Sequence, residues 1–246
     1  MNRKIRLTLI AAASGTALVA AGFVPAAFAD SSTPSPTPSP TKTAAPHKTL
    51  AEVQAAGATH TSDRIASLNK AIAKYTADKG LTASDKTTIL GTLNTDLTEI
   101  TALATKIAGD TTLTEAKADY KSIYATYRVY AVVLPQSRYA KDADTALGTT
   151  IPKLTAVQQR LSTRLSGKAS AKSTAALQAD LSDMTTQLAK ATNAATGVSA
   201  AALAVTPAQF NSNHSVLDSA KQSVATIAAA LKQARSDAAS IRAALK

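Results

Sequence analysis

Five of the six tyrosines of this chain fall between residues 118 and 141, in the stretch ADYKSIYATYRVYAVVLPQSRYAK. The same stretch contains two arginines and a proline at position 135. Aromatic rings beside guanidinium groups can bind small ligands or glycans, because the rings offer stacking surfaces and the arginines attract anionic groups. The candidate ligand-binding set at the Pro135 irregularity is Tyr124, Tyr127, Arg128, Tyr130, Arg138 and Tyr139.

The spacing of the tyrosines also fits a hydrophobic core. At 100° per residue one helical face carries Tyr120, Tyr124, Tyr127, Ala131 and Leu134. Valines cover the opposite side, so residues 129–134 are apolar nearly all round, which is typical of a helix surrounded by neighbours. This pattern favours packing of most rings inside a bundle, with their hydroxyls reaching its edge. The junction around Pro135 remains open as a binding site.

A second candidate surface is basic. No acidic residue lies between Asp144 and Asp180, whereas this stretch carries Lys153, Arg160, Arg164, Lys168 and Lys172. The last four are spaced by four residues, which would align them along one edge of a helix continuing through Gly167. This pattern predicts a docking site for a polyanion, and the alternative is a solvated end of the bundle. Because no aromatic residues interleave with these cations, we expect no specific nucleic-acid binding.

Catalytic and metal-binding motifs fail on inspection. The three histidines, His47, His60 and His214, have no glutamate at the spacing of zinc or di-iron sites. Ser-x-x-Lys occurs at Ser39 and Ser67 without the companion motifs of penicillin-interacting enzymes. The scattered glycines form no phosphate-binding loop. We therefore expect no enzymatic activity, no cofactor and no metal.

The elements that would position these residues are helices. Apolar residues recur at alternating steps of three and four from Leu50 to Lys246, which predicts an all-α protein of five or six helices. Gly80 is predicted to end the first helix in a left-handed C-cap. Thr82 and Asp85 resemble a capping box that opens the second. A third helix is expected to begin near Thr112 or Thr114.

The apolar stripes are long. One runs through Leu147, Ile151, Leu154, Gln158, Leu161 and Leu165, and the last through Leu217, Ala220, Val224, Ile227, Leu231, Ala234, Ala238, Ile241 and Leu245. Sustained heptads joined by short loops predict an elongated antiparallel bundle or coiled coil, and heptads also permit self-association. The pattern leaves open whether helices continue through Pro135 and Pro152, since proline kinks some helices and separates others.

The amino terminus predicts export. Residues 1–29 combine three basic residues, an apolar run and Ala27-Phe28-Ala29, which is the pattern of a cleaved signal peptide. Residues 30–49 alternate proline with serine and threonine, which predicts a disordered spacer with potential O-glycosylation acceptors. The helical domain is then 50–246. With no cysteine, the chain has neither disulfides nor a lipidated N-terminal cysteine.

Charge indicates the kind of partner. The chain carries 27 basic and 16 acidic residues, and cleavage removes three basic residues and no acidic ones, leaving a net charge of +8. Such a protein is attracted to polyanions. We expect it to be secreted or associated with the cell wall, without a transmembrane span after cleavage. Its partner would be an unknown protein or an anionic cell-envelope polymer.

Two segments carry a resemblance: YRVYAVVLPQ and VTPAQFNSNHSVLDSAKQSVATIAAALKQARSDAASIRAAL. Here the chain resembles a group of secreted, Ala-rich helical proteins of actinobacteria that has no assigned activity. The resemblance implies a bacterial, exported, all-helical protein and implies no catalytic residues. The leading hypothesis is a non-enzymatic spacer, scaffold or partner-binding rod of the cell envelope. The alternative is a bundle that binds a small ligand, glycan or polyanion.

Overall fold

The computed structural model describes residues 49–246, which are helical and contain no strand. The helices are α1 (Leu50–Ala77), α2 (Ala83–Gly109), α3 (Leu113–Ala125), α4 (Leu134–Thr145), α5 (Ile151–Ser166), α6 (Ala175–Ala195), α7 (Val198–Leu203), α8 (Pro207–Ser212) and α9 (Asp218–Ala244). A π-helical turn, Val129–Val133, leads into α4, and a second, Ala146–Thr150, joins α4 to α5, so that these elements form one helical run. When the short α7 and α8 are set apart and the run of α4 and α5 is counted once, the described residues form six long helical segments. The predicted all-α bundle is therefore confirmed.

Pro135 and Pro152 both lie within this helical run. Pro135 and Pro152 each occupy the first turn of an α-helix that directly follows a π turn. In each case the residue before the proline donates its N–H to a carbonyl five residues back, from Leu134 to Val129 and from Ile151 to Ala146. A wider turn relieves the clash that a proline ring otherwise makes with the preceding carbonyl. The helix therefore continues through both prolines.

The break in the tyrosine segment comes earlier, at residues 126–128. Here α3 ends at Ala125, and Arg128 adopts the left-handed conformation with φ of 45°. Asn211 of α8 holds this corner, because its Nδ2 donates to the Ala125 carbonyl at 2.8 Å and its Oδ1 accepts from Arg128 Nε at 2.8 Å. The prediction of one continuous helical face from Tyr120 to Leu134 is wrong, since the tyrosines lie on both sides of this corner.

The loop between α1 and α2 corrects a second prediction. Helix α1 ends at Ala77, and Gly80 has no positive φ, so it is not a left-handed C-cap. The Asp78 carboxylate closes the turn instead, by accepting the N–H of Gly80 at 2.7 Å and of Leu81 at 3.2 Å. Position 80 needs glycine for space, because a Cβ there would lie 2.5 Å from Thr145 Oγ1.

The start of α2 depends on a distant carboxylate. The Thr82 side chain accepts the Asp85 N–H at 3.2 Å, as predicted. In a capping box the side chain of residue 85 would in turn accept the Thr82 N–H, but Asp85 does not. Asp144, which is buried in α4, accepts the Thr82 N–H at 2.8 Å and the Ser199 hydroxyl at 2.9 Å. One carboxylate thus connects α2, α4 and α7. Helix α3 begins after Thr112, within the predicted range.

Two antiparallel pairs, α1 with α2 and α6 with α9, form the most extensive contacts between helices. In the pair of α1 and α2, Gln54 donates to the carbonyls of Ala108 and Asp110. In the pair of α6 and α9, Ser240 donates to Asp180 at 2.7 Å. The first pair encloses a core with Leu68, Ile89, Leu93 and Ile100, and the second a core with Met184, Leu188, Ile227, Leu231 and Ile241.

The predicted stripes agree with burial, with one exception. The stripe of α9 is confirmed, since all of its members are buried apart from the half-buried Val224. The stripe predicted to begin at Leu147 begins at Ile151. Leu147 is 38 % exposed, and the preceding residue, Ala146, is buried in its place. The π turn inserts an extra residue and rotates the side chains that precede it away from the expected face.

The predicted signal peptide, residues 1–29, and the predicted spacer up to residue 48 lie outside the described residues. Among residues 49–246, no helix has the length and hydrophobicity needed to cross a bilayer.

Candidate functional sites

The basic stretch gathers at one end of the bundle, but not along one helix. Helix α5 ends at Ser166, so the condition for aligning Lys168 and Lys172 with Arg160 and Arg164 on one helix, continuation through Gly167, is not met. The chain then turns through a short 3-10 helix, Ser170–Lys172, beside the end of α9. This turn brings together six cations, here called the basic end: Arg160, Arg164, Lys168, Lys172, Arg242 and Lys246. Lys153 is exposed and lies outside this group.

Two adjoining pockets lie between these cations. One, of about 510 Å³, is lined by Arg160, Arg164, Arg242 and Lys246 above apolar Val157, Leu161 and Leu245. The other, of about 680 Å³, is lined by Arg164, Lys168 and Lys172 with Ala169, Ala171 and Leu245. Arg164 and Leu245 belong to both pockets. The basic end therefore combines an apolar floor with a cationic rim.

None of the cations of the basic end is neutralised within the described residues. The salt bridges among these residues join Lys106 to Asp119, Arg138 to Asp142 and Lys141 to Asp78, all elsewhere. Arg164 does donate from Nη2 to the Leu245 carbonyl at 3.4 Å. This contact lies at the carboxyl end of α9, where the helix dipole favours positive charge. The dipole accounts for part of the cluster, and the remaining charge is available to an anionic partner.

The tyrosine set is divided between two smaller pockets that share one residue, Tyr130. One pocket of about 240 Å³ is lined by Tyr130, Leu134, Pro135, Arg138 and Tyr139. The other, of about 230 Å³, is lined by Tyr124, Arg128 and Tyr130 together with Arg64, Ile123, Val129 and Ala131. Tyr130 is 48 % exposed, and its hydroxyl donates to the Asp63 carbonyl at 3.1 Å and contacts Ser67 Oγ at 3.0 Å.

Tyr127 belongs to the core and lines neither pocket. It is partly buried and packs against two core clusters, one that includes Ile100 and Val129 and one that includes Ile107 and Ile123. Burial raises the pKa of its hydroxyl, and the nearby carboxylates of Glu99 and Asp96 raise it further. The expectation that tyrosines pack inside thus holds for Tyr127, whereas Tyr130 and Tyr139 face pockets.

Tyr120 and Tyr124 meet a histidine of α1. The Tyr120 hydroxyl lies 2.9 Å from His60 Nδ1, and the Tyr124 hydroxyl contacts the same nitrogen. The two tyrosine rings are edge to face with centroids 5.5 Å apart. Burial raises the pKa of the Tyr124 hydroxyl, with a further contribution from its hydrogen bond to Tyr120. This cluster fixes Tyr124 as a wall of the second pocket.

Arg64 is the residue that sequence reasoning missed. Its side chain is buried at 7 % exposure, with the guanidinium 4.6 Å from the Tyr124 ring centroid and 5.0 Å from that of Tyr130. Nη1 donates to the His60 carbonyl at 2.9 Å, while Nε has no acceptor among the described residues. A signal was present in the spacing, because Arg64 falls on the buried stripe of α1 between Thr61 and Leu68. A charged residue at such a position is unusual.

One buried acid, Asp237, lies on α9 near Asp180 and Asp183 of α6. Asp237 accepts from Gln233 at 2.7 Å, and burial raises the pKa of its carboxyl, as do Asp183 and Asp180. Within the described part of the chain, no group of three or more His, Cys, Asp or Glu could hold a metal ion.

Comparison with known protein families, with curated proteins and with solved structures finds no match.

Proposed function

We propose that this chain is a non-enzymatic, exported helical bundle that acts as a spacer or scaffold of the cell envelope and attaches to an anionic polymer through the basic end. One observation carries the proposal. The turn after α5 brings Lys168 and Lys172 to the same place as Arg160 and Arg164, and α9 adds Arg242 and Lys246. Six cations without a carboxylate partner among residues 49–246 form a surface that favours polyanions.

The two pockets favour a particular kind of polymer. The first pocket has an apolar floor of Val157, Leu161 and Leu245, and the two pockets together are lined by six cations. A chain of phosphates or carboxylates carrying apolar or sugar segments would fit this combination. Single-stranded nucleic acid fits less well, because no aromatic residue lines either pocket to stack on a base.

The remaining parts of the proposal rest on the sequence. The pattern of residues 1–29 supports export, and the proline-rich residues 30–49 would hold the bundle away from a surface. Uninterrupted steps of three and four in α9 support an elongated coiled-coil arrangement and leave self-association as a further use of the same stripes. The resemblance to secreted actinobacterial helical proteins agrees with this role.

Retention on a defined polyanion tests the attachment. The chain is passed over immobilised inorganic polyphosphate and over neutral dextran, at increasing salt. We expect retention on polyphosphate alone, with affinity falling steeply with salt because bound counterions are released. Replacing Arg160, Arg164, Lys168 and Lys172 by glutamine is expected to lower the affinity at least about tenfold.

A matched control separates a site from net charge. Replacing the exposed Lys70, Lys79, Lys117 and Lys121 by glutamine removes the same four charges from other parts of the bundle. If the basic end is the attachment site, this control keeps most of the affinity. Equal losses in the two quadruple variants would mean that attraction depends on overall charge, and the proposed attachment site would be wrong.

A further inference from the structure

The pocket beside Arg64 is independent of the basic end. It lies where α1, α3 and the first π turn meet, and it is lined by Arg64, Tyr124, Arg128 and Tyr130. Its walls are otherwise apolar, through Ile123, Val129 and Ala131. Two arginines therefore line a small pocket whose other walls are aromatic and aliphatic.

A buried arginine without a carboxylate is costly unless something compensates its charge. Arg64 is more than nine-tenths buried and forms no salt bridge with the described residues. The faces of Tyr124 and Tyr130 provide partial compensation, since aromatic rings attract cations. Its Nε–H nevertheless has no acceptor within residues 49–246. The positive charge of Arg64 is thus compensated only by neutral groups, at the wall of a pocket.

Arg128 supports the same interpretation from the opposite wall. It adopts a left-handed backbone conformation that costs about 1 kcal/mol or more for a residue with a Cβ, and such strain often marks a binding site. Asn211 and the Phe210 ring, 5.4 Å away, hold its side chain in place. The second guanidinium is therefore positioned by two contacts that do not neutralise it.

We propose that this pocket binds a small organic acid, whose carboxylate pairs with the guanidinium charge of Arg64 and whose apolar part lies against Ile123, Val129 and Ala131. A guanidinium forms strong, charge-assisted hydrogen bonds with a carboxylate, and the His60 carbonyl that Nη1 of Arg64 already contacts does not neutralise its charge. At about 30 Å³ per water, a pocket of about 230 Å³ holds some seven or eight water volumes. The ligand is therefore limited to about ten non-hydrogen atoms.

The neighbouring pocket is a weaker candidate and serves as a control. Its arginine, Arg138, is exposed and already pairs with Asp142 at 3.6 Å. A ligand carboxylate in that pocket would compete with Asp142 for the Arg138 guanidinium. The unpaired and buried guanidinium of Arg64 has no such competitor, which assigns the ligand to the Arg64 pocket.

Benzoate is a suitable probe, with benzamide as its neutral counterpart. In a 15N-labelled chain, the side-chain Nε–H resonance of Arg64 is assigned by its loss in Arg64→Lys. We expect benzoate at about millimolar concentration to shift this resonance saturably, together with the backbone amides of Val129 and Ala131, and benzamide to shift none of them. Absence of a saturable shift at Arg64, or an equal response to benzamide, would overturn the proposal.

Variants test the two arginines separately. Arg64→Lys keeps the charge but removes the planar guanidinium, and we expect the amide shifts to show at least about tenfold weaker benzoate binding. Arg128→Gly suits the left-handed backbone, so it should fold even if Arg64→Lys does not, and it is expected to weaken binding several-fold.

Arg138→Gln is the control and should leave benzoate binding unchanged. Unchanged affinity in Arg128→Gly, or a loss in Arg138→Gln equal to that in Arg64→Lys, would place the ligand elsewhere. Inorganic phosphate completes the test, because stronger binding of phosphate than of benzoate to wild type would exclude a carboxylate pocket.

Discussion

At the scale of residues, most functional candidates were visible in the sequence, but their grouping was not. Arg128, Tyr124 and Tyr130 line one pocket with Arg64, a residue 64 positions before Arg128. Periodicity places residues on the face of one helix, and it gives no information about which helices meet. Arg64 could have been found as the charged member of a buried stripe, but its partners depend on how α1 packs against α3.

The left-handed conformation of Arg128 leads to a prediction about stability. Arg128→Ala would lose the contacts to Asn211 and Phe210 and keep the strain, whereas Arg128→Gly would lose the same contacts and relieve the strain. We expect the alanine variant to unfold more readily than the glycine variant by about 1 kcal/mol, the reverse of their order in a helix.

Urea denaturation of Arg128→Ala and Arg128→Gly measures this difference directly. The exposed helical position Lys117 provides a control, where alanine should be more stable than glycine by about 1 kcal/mol. If alanine were also the more stable residue at position 128, the left-handed corner would not be strained.

At the scale of elements, the helices and their inner faces could be predicted, and the interruptions could not. The stripe of α9 matches burial at almost every position, because one uninterrupted helix keeps one period. Leu147 was misplaced because the π turn Ala146–Thr150 changes the period locally. The break at Arg128 contains neither glycine nor proline, and it depends on Asn211 from another helix. No local pattern could have indicated it.

The pairing of α1 with α2 depends on Gly57. A Cβ at this position would lie 2.7 Å from Cγ2 of the buried Ile107. Gly57→Ala is therefore expected to destabilise the bundle by about 1 to 2 kcal/mol, although alanine is the better helix former. Gly91→Ala in α2, where a Cβ would contact nothing within 4 Å, should instead stabilise it by about 0.5 to 1 kcal/mol.

A double-mutant cycle with Ile107→Ala identifies the cause. Removing the isoleucine side chain makes room for the new methyl group, so Gly57→Ala should cost less in that background, by about 1 kcal/mol or more. Additive effects in thermal or urea unfolding would show that the glycine serves some other purpose than the close approach of α1 and α2.

At the scale of the whole molecule, buried carboxyls make stability depend on pH. Burial raises the pKa of Asp96 from its ordinary value of 3.8 to about 6, and Glu99 adds to the shift. Burial likewise raises the pKa of Asp237. An acid whose pKa is raised on folding binds its proton more tightly in the folded state. Its contribution is complete below the unfolded pKa and is lost as pH rises through the folded pKa.

Other acids act in the opposite direction at lower pH. Burial would raise the pKa of Asp78, but hydrogen bonds from Gly80 and Lys141 outweigh it and lower the pKa. A hydrogen bond from Thr112 lowers the pKa of Glu115. Their contributions are lost as pH falls through these depressed values. The free energy of unfolding should therefore rise from pH 7 to a maximum near about pH 4 to 5 and decline in stronger acid.

Asp96→Asn tests the main source of this profile. Asparagine keeps the shape of the protonated carboxyl, so the variant should gain about 1 to 2 kcal/mol at pH 7, less than the full shift would give because solvent screens part of the charge. Between pH 7 and pH 4, its stability should vary less than that of wild type. Asp63→Asn, at an exposed position of α1, is the matched control and should leave the wild-type profile in place. Urea denaturation at each pH measures these stabilities. If Asp96→Asn and wild type lose stability in parallel as pH rises from 4 to 7, the Asp96 carboxyl is ionised in the folded bundle at little cost. The greater stability in acid would then come from other groups.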